Sequence, residues 1–224
     1  MTHKTHARIA RLVLLLWCGL TLAFLILPIV AIVPISMNSE PYLQFPTRHP
    51  SLRWYEELFS SEAWAQAFRN SLVVATAAAI LALTLGTLAA LGAAWGRLPG
   101  RSLIMALFLS PLLVPHVIIG LGLYFLYAKI GLAASLASLI LAHTTLAAPF
   151  VVMIVASALS RVSINTLRAA ASLGASPTVV FLRVIAPLIA PAIAGGAILA
   201  FLTSFDEIDV ALMLAGPEQR TVPR

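Results

Sequence analysis

"RAAASLGASPTVVFLRVIAPLIAPAI", Arg168 to Ile193, lies between two long apolar runs of a very hydrophobic chain. Its first half is alanine-rich and reads as helix up to Gly174, and a second helix begins at Ser176-Pro177. Ser163 caps the first helix by offering an acceptor to its free N–H groups, and Gly174 supplies the left-handed residue that ends it. Ser176 caps the second, with Pro177 at the first helical position, where the missing N–H is an orphan in any case. Pro187 ends or kinks that helix before the last apolar run. Residues 160–187 hold Arg161, Arg168 and Arg183 and no acid. Each arginine costs about 2.5–3.5 kcal/mol at the centre of a bilayer, so this segment lies on a membrane face and is not a span.

Outward from it the chain is apolar almost throughout. Of 224 residues, 61% are hydrophobic and 10% charged, more apolar surface than a soluble domain of this length can bury. Windows of about 20 apolar residues give five spans, near 12–35, 71–95, 102–127, 132–159 and 188–214. The first is too long for a signal-peptide core and carries no small-residue cleavage site, so it reads as an uncleaved transmembrane helix. The polar stretch between spans one and two reads as an extended segment followed by a short helix on the membrane surface. The fold class is therefore an all-α integral membrane protein: a polytopic bundle of five predicted spans in one transmembrane domain, 1–224.

Charge orients it. Lys4, Arg8, Arg11, Arg97, Arg101, Arg161, Arg168 and Arg183 fall on one side of these spans, and every acid falls on the other half. Lysine and arginine in short loops stay cytoplasmic, which places the N-terminus inside an inner (plasma) membrane. The net charge of +6 thus faces anionic lipid rather than nucleic acid. Residues 160–187 then lie in the cytoplasm. The small side chains of Ala169 and Ala170 fit a groove on a partner protein; a loop floating on lipid is the other reading.

The same stretch resembles the cytoplasmic loop of binding-protein-dependent ABC transporter permeases, whose pattern is Glu-Ala-Ala, three residues, Gly, then a helix to a proline. Ala169, Ala170, Gly174 and Pro187 match; Arg168 stands where the family has glutamate, and Ala186 where it has leucine. "SLRWYEELFSSEAWAQAFRNSL" (51–72), "SPLLVPHVIIGLGLYF" (110–125), "LILAHTTLAAPFVV" (139–152) and "FLTSFDEIDVALMLAGPEQRTVP" (201–223) resemble the spermidine/putrescine-type branch. The resemblance implies an importer subunit that works by alternating access. It pairs with a second permease subunit, docks its loop into cytoplasmic ATP-binding subunits, and receives solute from an extracytoplasmic binding protein. In that loop Arg168, Ala169, Ala170, Gly174 and Pro187 are the coupling residues. The family commonly has six spans, so the resemblance also implies a sixth helix beyond Arg224.

The chain has no G-x-x-x-x-G-K-[ST], so ATP hydrolysis would belong to another chain and the protein is expected not to be an enzyme. No cofactor or metal motif is present, and the single Cys18 offers neither a disulfide nor a ligand set. Asp206, Glu207 and Asp209 fall in the outer half of the last span. On a continuous helix Asp206 and Asp209 would share a face with Glu207 turned about 100° away. Acids in a span line a polar path by default; a helix that has already reached the interface is the alternative. As a path they favour a cation such as a polyamine.

His116 is a further pathway candidate, and His143 either bonds a neighbouring helix or joins a proton or metal relay. Pro111 and Pro115, with Gly120 and Gly122 after them, break or kink the third span. "GAAWG", Gly92 to Gly96, permits close helix approach. Arg48, Arg53, Trp54 and Tyr55 anchor to headgroups or meet a binding protein. A secondary transporter or channel that needs no ATPase is the alternative to the importer.

Overall fold

The structure, a computed structural model, describes residues 2–40, 49–96 and 99–224, with side chains from residue 8 onward. Arg48 and Arg97 lie outside the described residues, as does the Lys4 side chain. Described residues are almost wholly helical and contain no strand beyond one isolated bridge, Asn38 to Pro50. Four helices among them are long and apolar enough to cross a membrane, or five if one sharply bent pair counts as a span.

The chain divides into two compact units, Met1–Ala65 and Gln66–Arg224. The first holds α1 (Thr2–Ser36) and α2 (Arg53–Ser60). The large apolar side chains of α1 from Ile9 to Val33 are exposed, as lipid-facing side chains are. Trp54 Nε1–H donates to the Asn38 carbonyl at 2.7 Å. Ser36 Oγ–H is engaged by the Val33 carbonyl at 2.8 Å, so the Tyr55 hydroxyl, 2.6 Å away, donates to Ser36. The Arg53 guanidinium sits 5.2 Å over the Trp54 ring. The polar ends of Trp54 and Tyr55 are thus turned onto the chain itself.

The second unit holds most of α3 (Glu62–Trp95), then α4 (Arg101–Leu109), α5 (His116–Lys129), α6 (Leu136–Leu159), α7 (Ile164–Ser172), α8 (Pro177–Val180), α9 (Ala186–Phe205) and α10 (Asp209–Leu214). Its axis is α6, the most buried of the long helices. One apolar core joins α3, α6 and α9 through Ala82, Ala147, Val151, Val155, Ile189 and Ala200. A second joins α5, α6 and α10 through Tyr127, Leu139, Leu146, Val210 and Leu214. The approach of α3 to α6 depends on Gly86, where a Cβ would stand 2.8 Å from the Val151 Cβ. The close contact on α3 is therefore at Gly86, six residues before the Gly92–Gly96 pair.

Two expected boundaries differ. The third expected span is a pair of helices, Arg101–Leu112 and His116–Lys129, meeting at 104°. Pro111 and Pro115 bring no N–H to this corner, and a 3₁₀ turn, Ser110–Leu112, closes the first half. The helix is also not ended at Pro187. A π-turn, Phe181–Ile185, joins α8 to α9, with Ala186 N–H donating to the Phe181 carbonyl. Widening the turn removes the need for the bond Pro187 cannot make, so helix runs from Pro177 to Phe205. That helix then stops at Phe205, inside the expected fifth span.

The segment after α10 folds back on α3. Asn70, 2% exposed, donates from Nδ2 to the Glu218 and Arg220 carbonyls, each at 2.9 Å, and accepts from Gln66 Nε2 at 2.9 Å. Ser71 Oγ accepts from Val222 N–H at 2.8 Å. Asn70→Ala removes the donor from two carbonyls, a loss of about 0.5–1.5 kcal/mol for each hydrogen bond. Limited trypsin digestion of the detergent-solubilised variant is expected to cut after Arg220 several-fold faster than in wild type, without a matching change at Arg161.

Candidate functional site

Two interruptions of helix face each other. One is the 104° corner that ends at His116, the first residue of α5. The other is the gap between α9, which stops at Phe205, and α10, which starts at Asp209. Phe205 is fixed by a stacked contact to Phe201 at 5.6 Å and an edge contact to Phe68 at 6.4 Å between ring centroids. The two short helices pack closely because Gly120 has no side chain: a Cβ there would meet the Met213 sulfur at 2.9 Å and the Val210 Cα at 3.4 Å. Gly122 has open space around it.

Across this junction His116 Nδ1–H donates to Glu207 Oε2 at 3.0 Å. Glu207 Oε1 accepts from Val210 N–H at 3.1 Å, capping the first turn of α10. Glu207 is buried at 6% exposure while Asp206 and Asp209 are exposed, and the shared face expected for Asp206 and Asp209 on a continuous helix is not formed. The reason is the break: Asp206 is the residue after α9 and Asp209 opens α10, so they do not share one helix face. An open cleft of about 690 Å³ collects His116, Thr203, Asp206, Glu207 and Asp209. One ligand atom each from His116, Glu207 and Asp209 lie within 4.8 Å of one another. Each Glu207 oxygen accepts one hydrogen bond, from Val210 N–H and from His116, and Asp209 flanks the pair.

His143 does bond a neighbouring helix. It is 1% exposed on α6, and its Nδ1 lies 2.8 Å from Ser204 Oγ and 3.1 Å from the Ser204 carbonyl, one residue before α9 ends. The sequence carries no local sign of this partnership, since the residues are 61 apart.

The basic loop is at the other end of α9. Ser163 Oγ caps α7 by accepting from Asn165 N–H, and Ser176 Oγ caps α8 by accepting from Val179 N–H. Gly174 has φ +79°, and Gly174 N–H to Ala171 O and Ala175 N–H to Ala170 O form the paired closure of a Schellman turn. Leu167 and Val162 pack onto the α3–α6–α9 core, while Arg168, Ala169 and Gly174 are exposed and Leu173 is 88% exposed. Pro187, in the first turn of α9, and Phe205, its last residue, are about 27 Å apart at 1.5 Å per residue. The loop residues and the acids therefore never meet; α9 connects them.

Apolar spans, two facing helix breaks and an exposed arginine-bearing loop define a polytopic helical membrane protein. The chain belongs to the binding-protein-dependent transport system inner membrane components, whose family model matches residues 82–223. It is thus a multi-pass inner-membrane permease of the ABC transporter class. Curated relatives include the putrescine transport system permease protein PotI of Escherichia coli, 34% identical over 95% of this chain and 77% of its own. The spermidine/putrescine transport system permease protein PotC of Haemophilus influenzae is 30% identical over 90% of this chain and 78% of its own. The osmoprotective compounds uptake permease protein GgtD of Synechocystis is 32% identical over 75% and 57%. Among solved structures, a bacterial ABC transporter involved in import of the acidic polysaccharide alginate matches with a TM-score of 0.72 and 16% identity, covering 96% of this chain and 77% of that one. That match speaks for the fold.

Proposed function

We propose that the chain carries a polyamine-like cation inward across the membrane by alternating access, driven by separate ATP-binding subunits. A second permease subunit completes the path and an extracytoplasmic binding protein delivers the solute. The observation that supports the cation reading is Glu207: a buried carboxylate at facing helix breaks, with Asp206 and Asp209 beside it in one cleft. Carboxylates in a low-dielectric recess favour ammonium groups and disfavour anions. PotI and PotC carry polyamines by name, which supports the same solute class. In this reading the N-terminus is cytoplasmic, and α7 with the turn at Gly174 docks on the ATP-binding subunits. Closure of those subunits pushes the near end of α9, and its far end moves the break that holds Glu207.

Uptake of radiolabelled putrescine by the complete transporter in proteoliposomes tests this. Glu207→Gln is expected to raise the half-saturating concentration about tenfold or more, the scale of one charge-assisted hydrogen bond. Asp206→Asn with Asp209→Asn is expected to impair uptake to a smaller degree, because both acids are exposed. Uptake indifferent to all three changes rules out the cation path. Uptake that persists without ATP-binding subunits replaces the importer by an ATPase-independent transporter.

A further inference from the structure

We propose that His143 is the positioning residue of the break between α9 and α10. Its Nδ1–H, held on the free carbonyl of Ser204, sets where α9 stops and so where Glu207 is presented. The inference rests on the reading of Glu207 as part of the solute path for its functional meaning, and on geometry alone for the clamp.

A helix end leaves its last four carbonyls without intrahelical donors. On α9 the Leu202 carbonyl receives Asp206 N–H at 3.0 Å. In a continuing helix the Ser204 carbonyl would receive the amide of Ile208, but Ile208 lies beyond the break. Ser204 is itself 4% exposed, so water does not replace that donor. The imidazole of His143 does, from 3.1 Å. In one tautomer Ser204 Oγ, at 2.8 Å, donates its hydrogen to Nδ1; the clamp is the other, with the ring hydrogen on Nδ1, since a carbonyl can only accept.

That tautomer leaves Nε2 a bare acceptor, and Nε2 is buried with no hydrogen-bond partner. An orphaned acceptor is a liability that leucine or phenylalanine at 143 would not carry. The imidazole is explained by its other nitrogen, which supplies what the broken helix lacks. The donor also stands on the most buried long helix, α6, so the break is referred to the most fixed element of the unit. Three residues past Ser204, Glu207 ties the start of α10 through Val210 N–H. The gap is thereby pinned on both sides, at Ser204 by α6 and at Val210 by its own acid.

The test uses the complete transporter in a Cys18→Ser background carrying Ile208→Cys. Ile208 is 43% exposed and adjoins Glu207, so its maleimide labelling rate reads the geometry of the break. His143→Leu removes the donor. His143→Asn keeps an N–H close to the Nδ1 position. His143→Gln stays polar but carries its amide where Nε2 stood, which keeps the test open if the leucine variant does not fold.

His143→Leu and His143→Gln are expected to change the labelling rate about fivefold, the scale of one lost hydrogen bond, while His143→Asn stays near wild type. The putrescine KM should rise in the first two and recover in His143→Asn. Unchanged labelling in both His143→Leu and His143→Gln overturns the clamp. So does a His143→Asn rate as altered as theirs, which would mean that ring volume matters and the donor does not. Altered labelling with an unaltered KM keeps the clamp and removes Glu207 from the solute path.

Discussion

Gly174→Val is expected to abolish ATP-driven uptake while the helix bundle stays folded. At φ +79° a β-branched side chain is a steric outlier, and the strain of such positions is about 1–3 kcal/mol. There is no neighbour to clash with, because a Cβ on Gly174 meets nothing within 4 Å. The whole penalty therefore falls on the backbone of an exposed turn, which relieves it by abandoning the two closing bonds from Gly174 and Ala175. Leu173 then loses its place at the end of α7, and in the importer reading the surface that meets the ATP-binding subunits loses its shape.

A graded series separates this from a simple size effect. Gly174→Asn is expected to keep most activity, since asparagine enters the left-handed region readily, and Gly174→Ala to lie between asparagine and valine. Uptake and ATP hydrolysis by the assembled transporter, with the melting midpoint as control, give the ranking. Equal activity in the valine variant would remove the turn from the coupling contact.

Gly86→Leu is expected to prevent assembly of the α3–α6–α9 bundle. Even the first carbon of a side chain stands 2.8 Å from the Val151 Cβ, 2.9 Å from its Cγ1 and 3.2 Å from the Ala148 carbonyl. Two of those atoms lie close to or on the α6 backbone, so neither can swing aside. Overpacking of a closed core costs about 1–3 kcal/mol for small additions and more for large ones. Gly86→Ala should fold with a lowered thermal midpoint in detergent, read by size-exclusion of heated samples. Val151→Ala in the same chain should return part of the loss by removing the Cγ1 contact. A midpoint unchanged in Gly86→Ala would show that the helices separate without penalty.

What could be read from the sequence was what is local. Long apolar runs announce spans because a bilayer demands them. The pairs Ser163 with Gly174 and Ser176 with Pro177 announce two short helices because caps and a left-handed residue act within a few positions. The resemblance of the basic loop and of four further stretches pointed to the permease family to which the chain belongs.

The site was less visible because its geometry depends on chain segments that are far apart. "SFDEID" continues the spacing of a helix, and nothing in it says that helix stops at Phe205. The residues that touch the chain at that stop, Phe68 and His143, and the seat of α10 on α5, are all remote from it in sequence. Reading on through the break put Asp206 and Asp209 on one face and missed that Glu207 is the buried acid. Gly86 was passed over for Gly92 and Gly96 because a glycine's neighbour across a helix pair has no signature in its own segment.

The π-turn at Phe181–Ile185 has one more consequence. Val180 and Ile185 are five residues apart and both lie on the apolar core; Ile185 and Ile189 are four apart and do the same. The single long helix from Pro177 to Phe205 thus carries two helical phases, offset by about 100°, the angle of one residue. Losing one residue from 181–185 would shorten that helix by very little, yet it would turn the face presented by α7 and α8 by more than a quarter of a revolution. Chain length in this stretch acts as a clock setting between the two ends of the subunit.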